Sequence, residues 1–409
     1  MSRYRLNPTP AQEVILRRHC THARYVWNLA VEQQSWWRPG RSHAPGYCAQ
    51  AAQLTQARAA FDWLAAGSHM VQQQALRDFA QAMTSYFAGT HGKPTWRKEG
   101  RHEGFRIVAV MPGHVRRLSR KIGEVRIPKA GWVRFRWSRA VPEARSYRVT
   151  RDRAERWHIA FAAIPQPIPA PGTGQVVGID RGVTVSAALS TGVLLHCPTL
   201  RPAERARLRL LQRKFARAQK GSHRRHRVKA AIARLRAREA DRRKNWAEQA
   251  TTDLARHFDL IRIEDLRISS MTRSARGTLA NPGRNVRQKA GLNRGIFASG
   301  WGLLARRLED KAPGRVEKID PAFTSQRCSK CGHVAADSRE SQALFRCTTC
   351  GYTEHADVNA GRNIAAGHAV TARGRSPVGG RVNREPQSLR LPGVEAGIPA
   401  APGGEDVNL

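Results

Sequence analysis

The sequence reads as an α+β multidomain chain on three observations. Helical periodicity opens it, a block of short alternating strands follows, and a Pro/Gly-rich linker then introduces a second run of strands and helices. At 409 residues the chain has room for two or three domains with cores of their own.

From Pro10 to Gln34 the apolar residues Val14, Ile15, Ala23, Val26, Leu29 and Ala30 fall near helical spacing, and a second helical stretch, broadly Ala49 to Phe87, carries Leu54, Phe61, Leu64, Leu76, Phe79, Met83 and Phe87. A break at Trp36-Trp37-Arg38-Pro39-Gly40 divides them. Between Phe105 and Phe161 the pattern becomes FRIVAV, EVRIPK, WVRFRW, YRVTRD and RWHIAF, which predicts an antiparallel sheet or small barrel with the helices inserted before it. Arginines alternate with apolar residues there, giving one basic face and one core face. For Trp132 and Trp137 a core role is favoured over base stacking.

Pro165 to Gly174 is the clearest linker. Val176 to Ile179 then forms a buried-type strand ending at Asp180, and turns at Arg181-Gly182 and Ser190-Thr191-Gly192 make a three-stranded meander. Residues 201–258 read as a helical hairpin bent at Gly221-Ser222. Asp259 to Ile263 is a strand running into Glu264. The stretch Ser269 to Gly300, rich in Gly, Arg, Asn and Ser, reads as a mobile loop or lid. A short helix at Trp301 to Leu308 and a strand at Val316 to Ile319 follow. The expected domains are 1–165, a linker 166–174, a core 175–323 with the insertion 201–258, a metal knuckle 324–352, a last core segment 353–367 and a disordered tail 368–409.

Lys and Arg number 71 against 31 Asp and Glu, a net charge of +40. Solvated helix faces carry mixed charge, so this excess points to a polyanionic partner bound with steep salt dependence. No apolar run is long enough for a membrane span, and MSRYRLNPTPAQE lacks the apolar core of a signal peptide, so a cytoplasmic location is expected.

Of seven cysteines, Cys328, Cys331, Cys347 and Cys350 form two Cys-x-x-Cys pairs separated by fifteen residues. Each short turn presents two sulfurs to one ion, and two turns close a tetrahedral site. Gly332 and Gly351 follow the pairs where a knuckle needs positive φ. A pair of redox dithiols is the competing reading. Cys20, Cys48 and Cys197 read as buried, inert thiols.

Asp180 ends one apolar strand, Glu264 ends another, and Asp357 begins a helix after the knuckle. Singly, Asp180 reads equally well as a turn cap, Glu264 as a partner for arginine and Asp357 as a helix N-cap. Together, in the order strand, strand, helix, they fit an RNase H-like nuclease core, where carboxylates from separate elements bind the cations of phosphodiester hydrolysis.

The segments Val177-Gly178-Ile179-Asp180-Arg181-Gly182, Ile263-Glu264-Asp265-Leu266, Thr324-Ser325-Gln326-x-Cys328-Ser329-x-Cys331-Gly332, Cys347-x-x-Cys350-Gly351 and Asp357-x-Asn359-Ala360-x-x-Asn363-Ile364 resemble the OrfB/TnpB proteins of bacterial insertion sequences. Arg24-Tyr25-Val26-Trp27-Asn28 resembles that family's N-terminal helical region. The resemblance implies an N-terminal antiparallel β-barrel with inserted helices, then an RNase H-like (RuvC) α/β core with an inserted helical hairpin and a zinc ribbon. It also implies a transposon-encoded, RNA-guided DNA endonuclease. Asp180, Glu264 and Asp357 would be the catalytic acids holding Mg2+, as two ions. Cys328, Cys331, Cys347 and Cys350 would hold a structural Zn2+. The implied partners are a guide RNA from the transposon end and a double-stranded DNA target, gripped by the N-terminal part. A monomer with no membrane partner, nucleoid-associated when bound, is expected. The alternative is a catalytically silent nucleic-acid-binding protein, either a guided repressor or a transposition accessory factor. A strand-transfer transposase is the third reading.

Overall fold

The computed structural model describes residues 2–36, 44–101, 103–164 and 166–367. The expected disordered tail and most of the Trp36 to Gly40 break lie outside the described residues. The chain divides into two compact units. One comprises Met1–Pro165 with Arg207–Ala237, and the other Gln166–Ala206 with Arg238–Leu409.

In the first unit, strand β1 (Ser2–Asn7) leads into helix α1 (Pro10–Ser35), followed by α2 (Tyr47–Ala60), α3 (Asp62–Ala65) and α4 (His69–Phe87). Six strands complete it: β2 (Gly104–Val108), β3 (Val115–Arg117), β4 (Ile122–Ile127), β5 (Gly131–Arg136), β6 (Ser146–Arg151) and β7 (Trp157–Phe161). They form an antiparallel sheet in the order β2-β6-β7-β1-β5-β4-β3. Strand β1 bends the sheet, because Ser2 to Arg5 pair with β7 while Leu6 and Asn7 pair with β5. Helix α1 starts where the residues dictate. Pro10 occupies the first turn, and Thr9 and Gln12 form a capping box. Leu16, Ala23, Val26 and Ala30 then bury one face against the same core as Leu76 and Phe79 of α4. Trp137 stacks on Phe135 at 5.6 Å, and Trp132 lies beneath the Arg116 guanidinium at 4.1 Å. Both indoles are half-buried, between the two roles weighed for them.

The second unit is built on β8 (Val176–Asp180), β9 (Ala187–Leu189), β10 (Leu194–Leu195), β11 (Leu260–Glu264) and β12 (Val316–Ile319), in the order β10-β9-β8-β11-β12. The first three form an antiparallel meander, and β8, β11 and β12 run parallel. Strands β8 and β11 are buried along Val177, Ile179, Ile261 and Ile263, which explains their near-continuous apolar runs. Helices α5 (Pro202–Arg217) and α6 (His223–His257) form the hairpin between β10 and β11. Short helix α7 (Ile268–Met271) and helices α8 (Val286–Ser299) and α9 (Trp301–Lys311) precede β12.

The stretch Ser269 to Gly300, expected as a loop, is helical over its second half. Gly291 and Gly295 weakened the helical signal there, yet Gly295 is where Val183 packs, 2.7 Å from the position a Cβ would take. Gly300, at φ 74°, turns the chain from α8 into α9. The ribbon carries β13 (Leu344–Arg346) and β14 (Thr353–His355), and α10 (Ala356–Ala365) closes the unit. Cys20 and Cys197 are buried as expected, and burial raises both thiols. Cys48 departs from that expectation, because α2 carries it on its exposed side. Among the described residues no helix is long and apolar enough to cross a membrane.

Candidate active site and metal centre

The parallel register of β8 and β11 pairs Ile179 with Ile263. Asp180 and Glu264 are the next residues on adjacent strands, so both carboxylates emerge together at the carboxyl edge of the sheet. Their side chains hydrogen-bond each other. Helix α10 brings the third acid. It lies so close on β8 that a Cβ on Gly178 would overlap the Gly361 carbonyl oxygen at 2.0 Å, and a Cβ on Gly361 would meet Ser190 N at 3.1 Å. That approach sets Asp357, in the first turn of α10, beside the Asp180-Arg181-Gly182 bend, with its Oδ2 3.8 Å from where a Gly182 Cβ would stand.

The helix cap belongs to a neighbour. His355 Nδ1 accepts from Asp357 N at 3.2 Å. The Asp357 carboxylate is therefore not spent as an N-cap, and it faces the site under the favourable end of the helix dipole.

The electrostatics follow from crowding. Burial, then the carboxylates of Glu264 and Asp357, push Asp180 well above the usual carboxylate range. Burial also raises Glu264, while the Arg181 guanidinium opposes the rise. Two arginines moderate the site. Buried Arg181 donates through Nη2 to the Glu264 carbonyl oxygen, and Arg339 donates to Asp357 Oδ1 at 3.0 Å. Neither arginine stood out in a chain this basic. Arg339 follows the single 3-10 turn of the ribbon, Ala336–Ser338.

The four cysteine sulfurs all lie within 4.8 Å of one another. Cys328 Sγ is 3.8 Å from Cys350 Sγ, and Cys331 Sγ is 3.5 Å from Cys347 Sγ. A tetrahedral ion with bonds of ~2.3 Å to sulfur requires S···S separations of about 3.8 Å, so the cluster fits one zinc ion. The two knuckles repeat one geometry. Gly332 N donates to Cys328 O at 2.9 Å and Gly351 N to Cys347 O at 3.0 Å, with φ of 78° and 68° at the glycines. The Cys350 N–H pulls the Cys347 thiol down to about 6, while burial and the other three sulfurs push Cys331 up to about 12, so the four sulfurs hold their protons unequally. His333 and His355 are not part of the cluster.

Ribbon and helix α10 are joined by Asn359 and Asn363, whose place in the motif had carried no role. Asn359 Nδ2 donates to Arg327 O at 2.7 Å while its Oδ1 accepts from Ser329 N at 2.9 Å. Asn363 Nδ2 donates to Thr324 O at 2.9 Å and to Arg327 O at 2.7 Å. At the far end, Arg262 of β11 donates to the Ala365 carbonyl at 2.6 Å. Their spacing of four on an apolar helix was the available signal.

Fold and site together describe a mixed-sheet protein with a three-carboxylate centre beside a four-cysteine ribbon. Three family models match the chain: "Helix-turn-helix domain" over 2–41, "Probable transposase" over 138–275 and "Cas12f1-like, TNB domain" over 301–364. InsQ of Escherichia coli (strain K12), named as an RNA-guided DNA endonuclease, is 35% identical over 95% of this chain and 97% of its own length. A protein of Streptomyces pristinaespiralis with the same kind of name is 32% identical over 91% and 90%. The chain belongs to the OrfB/TnpB family. Its fold is also similar to that of Cas12f1 in a complex with sgRNA and target DNA, with a TM-score of 0.54 at 16% identity over 87% of this chain and 83% of that one.

Proposed function

We propose that this protein is a transposon-encoded RNA-guided DNA endonuclease, with Asp180, Glu264 and Asp357 as its catalytic acids. The observation that carries the reading is the register setting Asp180 beside Glu264, completed by Asp357 from a helix packed on the same strand. The five-stranded order β10-β9-β8-β11-β12, a meander followed by two parallel strands, supports reading this unit as an RNase H-like (RuvC) core. The N-terminal sheet, bent at β1, is read as the family's barrel, which with its helices grips guide RNA and the motif beside the target.

The donor set fits Mg2+. Three carboxylates offer hard oxygen ligands, and burial followed by like-charge crowding raises Asp180, a cost that bound cations would offset. Asp180, Glu264 and Asp357 would hold two Mg2+ ions, which would supply Lewis acidity for phosphodiester hydrolysis. Asp180 and Glu264 hold their positions through the strand register, and Asp357 through the docking of α10. Arg181 fixes the backbone at Glu264. Cys328, Cys331, Cys347 and Cys350 hold a structural zinc that braces this docking, with no ligand position left for chemistry.

One observation favours a silent binder: Arg339 already engages one oxygen of Asp357. The test separates the two. The protein is expressed with its downstream flank, the copurifying RNA is sequenced, and a duplex complementary to its guide segment is offered with Mg2+. Double-strand ends at a fixed position support the nuclease, and stable occupancy without any nick supports the binder. Joined or inserted products would indicate strand transfer instead.

A further inference from the structure

The Arg24-Tyr25-Val26-Trp27-Asn28 motif has a structural job that singles out a separate surface. Arg24, Trp27 and Asn28 stand at positions i, i+3 and i+4 of α1 and share one face. All three hold the irregular stretch that follows α4. Trp27 Nε1 donates to Thr95 O at 2.9 Å. Asn28 Nδ2 donates to Arg97 O at 3.0 Å, and Asn28 Oδ1 accepts from Arg97 N at 2.7 Å, so one side chain pairs with both backbone groups of a single residue. Arg24 meets Glu103 Oε1 at 2.7 Å, and the same oxygen accepts from Gly100 N at 2.7 Å. The Arg97 guanidinium lies over the Trp27 ring at 3.6 Å, buried enough to bring its pKa down to about 10.

The consequence lies on the other side of the stretch. Arg97 is turned onto Trp27, whereas the residue before it is left at the surface. Trp96 is 51% exposed, and it has no ring or cation–π contact among the described residues. Lys93 and Lys98 are exposed beside it. An indole left in water on a segment pinned at three points contributes little to the core, yet its position is fixed in advance. In a chain of net charge +40, an indole flanked by lysines matches a base beside its phosphates.

We propose that Trp96 is a stacking platform for an unpaired nucleotide base, with Lys93 and Lys98 against the adjoining phosphates. The inference rests on the nucleic-acid-binding reading above and assigns a residue to it. Stacking needs only a π-face, so the platform reads no sequence. The base comes from the guide RNA or from target DNA opened beside its recognition motif.

Two measurements separate these sources. The first follows retention of the labelled copurifying RNA during a heparin chase. The second follows affinity of the RNA-loaded protein for the duplex complementary to the guide segment. Trp96→Ala is expected to lose on the order of tenfold in one of them, with an unchanged unfolding temperature, and Trp96→Tyr is expected to recover most of the loss. A loss in the first names RNA as the source, and a loss confined to the second names target DNA. Wild-type behaviour of Trp96→Ala in both overturns the platform and leaves the nuclease reading intact. Full rescue by Trp96→Leu also overturns it, since an apolar contact would then suffice. A wild-type protein that holds neither nucleic acid removes the underlying reading and the platform together.

Discussion

Asp180 is the residue on which the chemistry turns, and its environment makes a testable thermodynamic statement. Its carboxyl is raised well above the usual range, by burial first and then by Glu264 and Asp357. A carboxyl raised on folding contributes stability below its unfolded pKa, and that contribution is lost as pH rises through the folded value. The metal-free protein is therefore expected to lose stability as pH climbs above about 4. Asp180→Asn removes the ionisation while keeping a donor for Glu264. At neutral pH this variant is expected to unfold a few degrees higher than the metal-free wild type. Mg2+ should raise the wild-type midpoint and leave that of the variant unmoved. Equal midpoints without metal would mean that the carboxyls are not crowded. The acids were legible because each closes an apolar strand or opens a helix, where an unpaired charge is costly. Arg339 was not legible, since one arginine among 71 basic residues announces nothing until the ribbon folds it back onto Asp357.

At the scale of elements, helix α10 is the part that must be placed correctly, and two devices place it. Gly178 and Gly361 allow backbone contact with the sheet. Gly178→Ala puts a methyl into the Gly361 carbonyl, so cleavage is expected to fall by orders of magnitude. Gly361→Ala meets a milder crowding at 3.1 Å and is expected to be impaired less. The second device is the asparagine pair. Asn363 is buried, and its loss strands the buried Thr324 carbonyl, while the Arg327 carbonyl keeps its bond from Asn359. Asn363→Ala should cost about 1–3 kcal/mol in unfolding free energy, measured by denaturant titration, with zinc content unchanged. The ribbon itself is expected to carry one zinc per chain by elemental analysis. Cys347→Ser should lose the metal and destabilise α10, whereas two redox dithiols would show no stoichiometric zinc. The knuckles were legible from spacing and from the glycine after each pair. The pairing of β8 with β11 was not, because some eighty residues and a helical hairpin separate two strands that neither sequence alone marks as neighbours. Strand β3, only three residues long, and helix α8, with its internal glycines, gave no readable period.

For the molecule as a whole, charge dominates. An excess of +40, spread over helices and strands alike, makes affinity for nucleic acid a matter of counterion release. With six to ten phosphates contacted, binding is expected to weaken by roughly three orders of magnitude or more between 50 and 200 mM salt, read from a series of equilibrium titrations. A shallow dependence would mean that most of the charge faces elsewhere. The α+β class and the order of its parts were visible from periodicity and turn residues. The division of the hairpin between two units was not, because packing partners of an amphipathic helix are not written in its own stripe.

The most direct test of the central claim is Mg2+-dependent cleavage by the RNA-loaded Asp180→Ala variant, measured beside its affinity for the same duplex. The expected result is binding within a few-fold of wild type with cleavage abolished, since the substitution removes a metal-binding carboxylate and no phosphate contact. Cutting at the wild-type rate would contradict the assignment of Asp180, Glu264 and Asp357 as the nuclease centre.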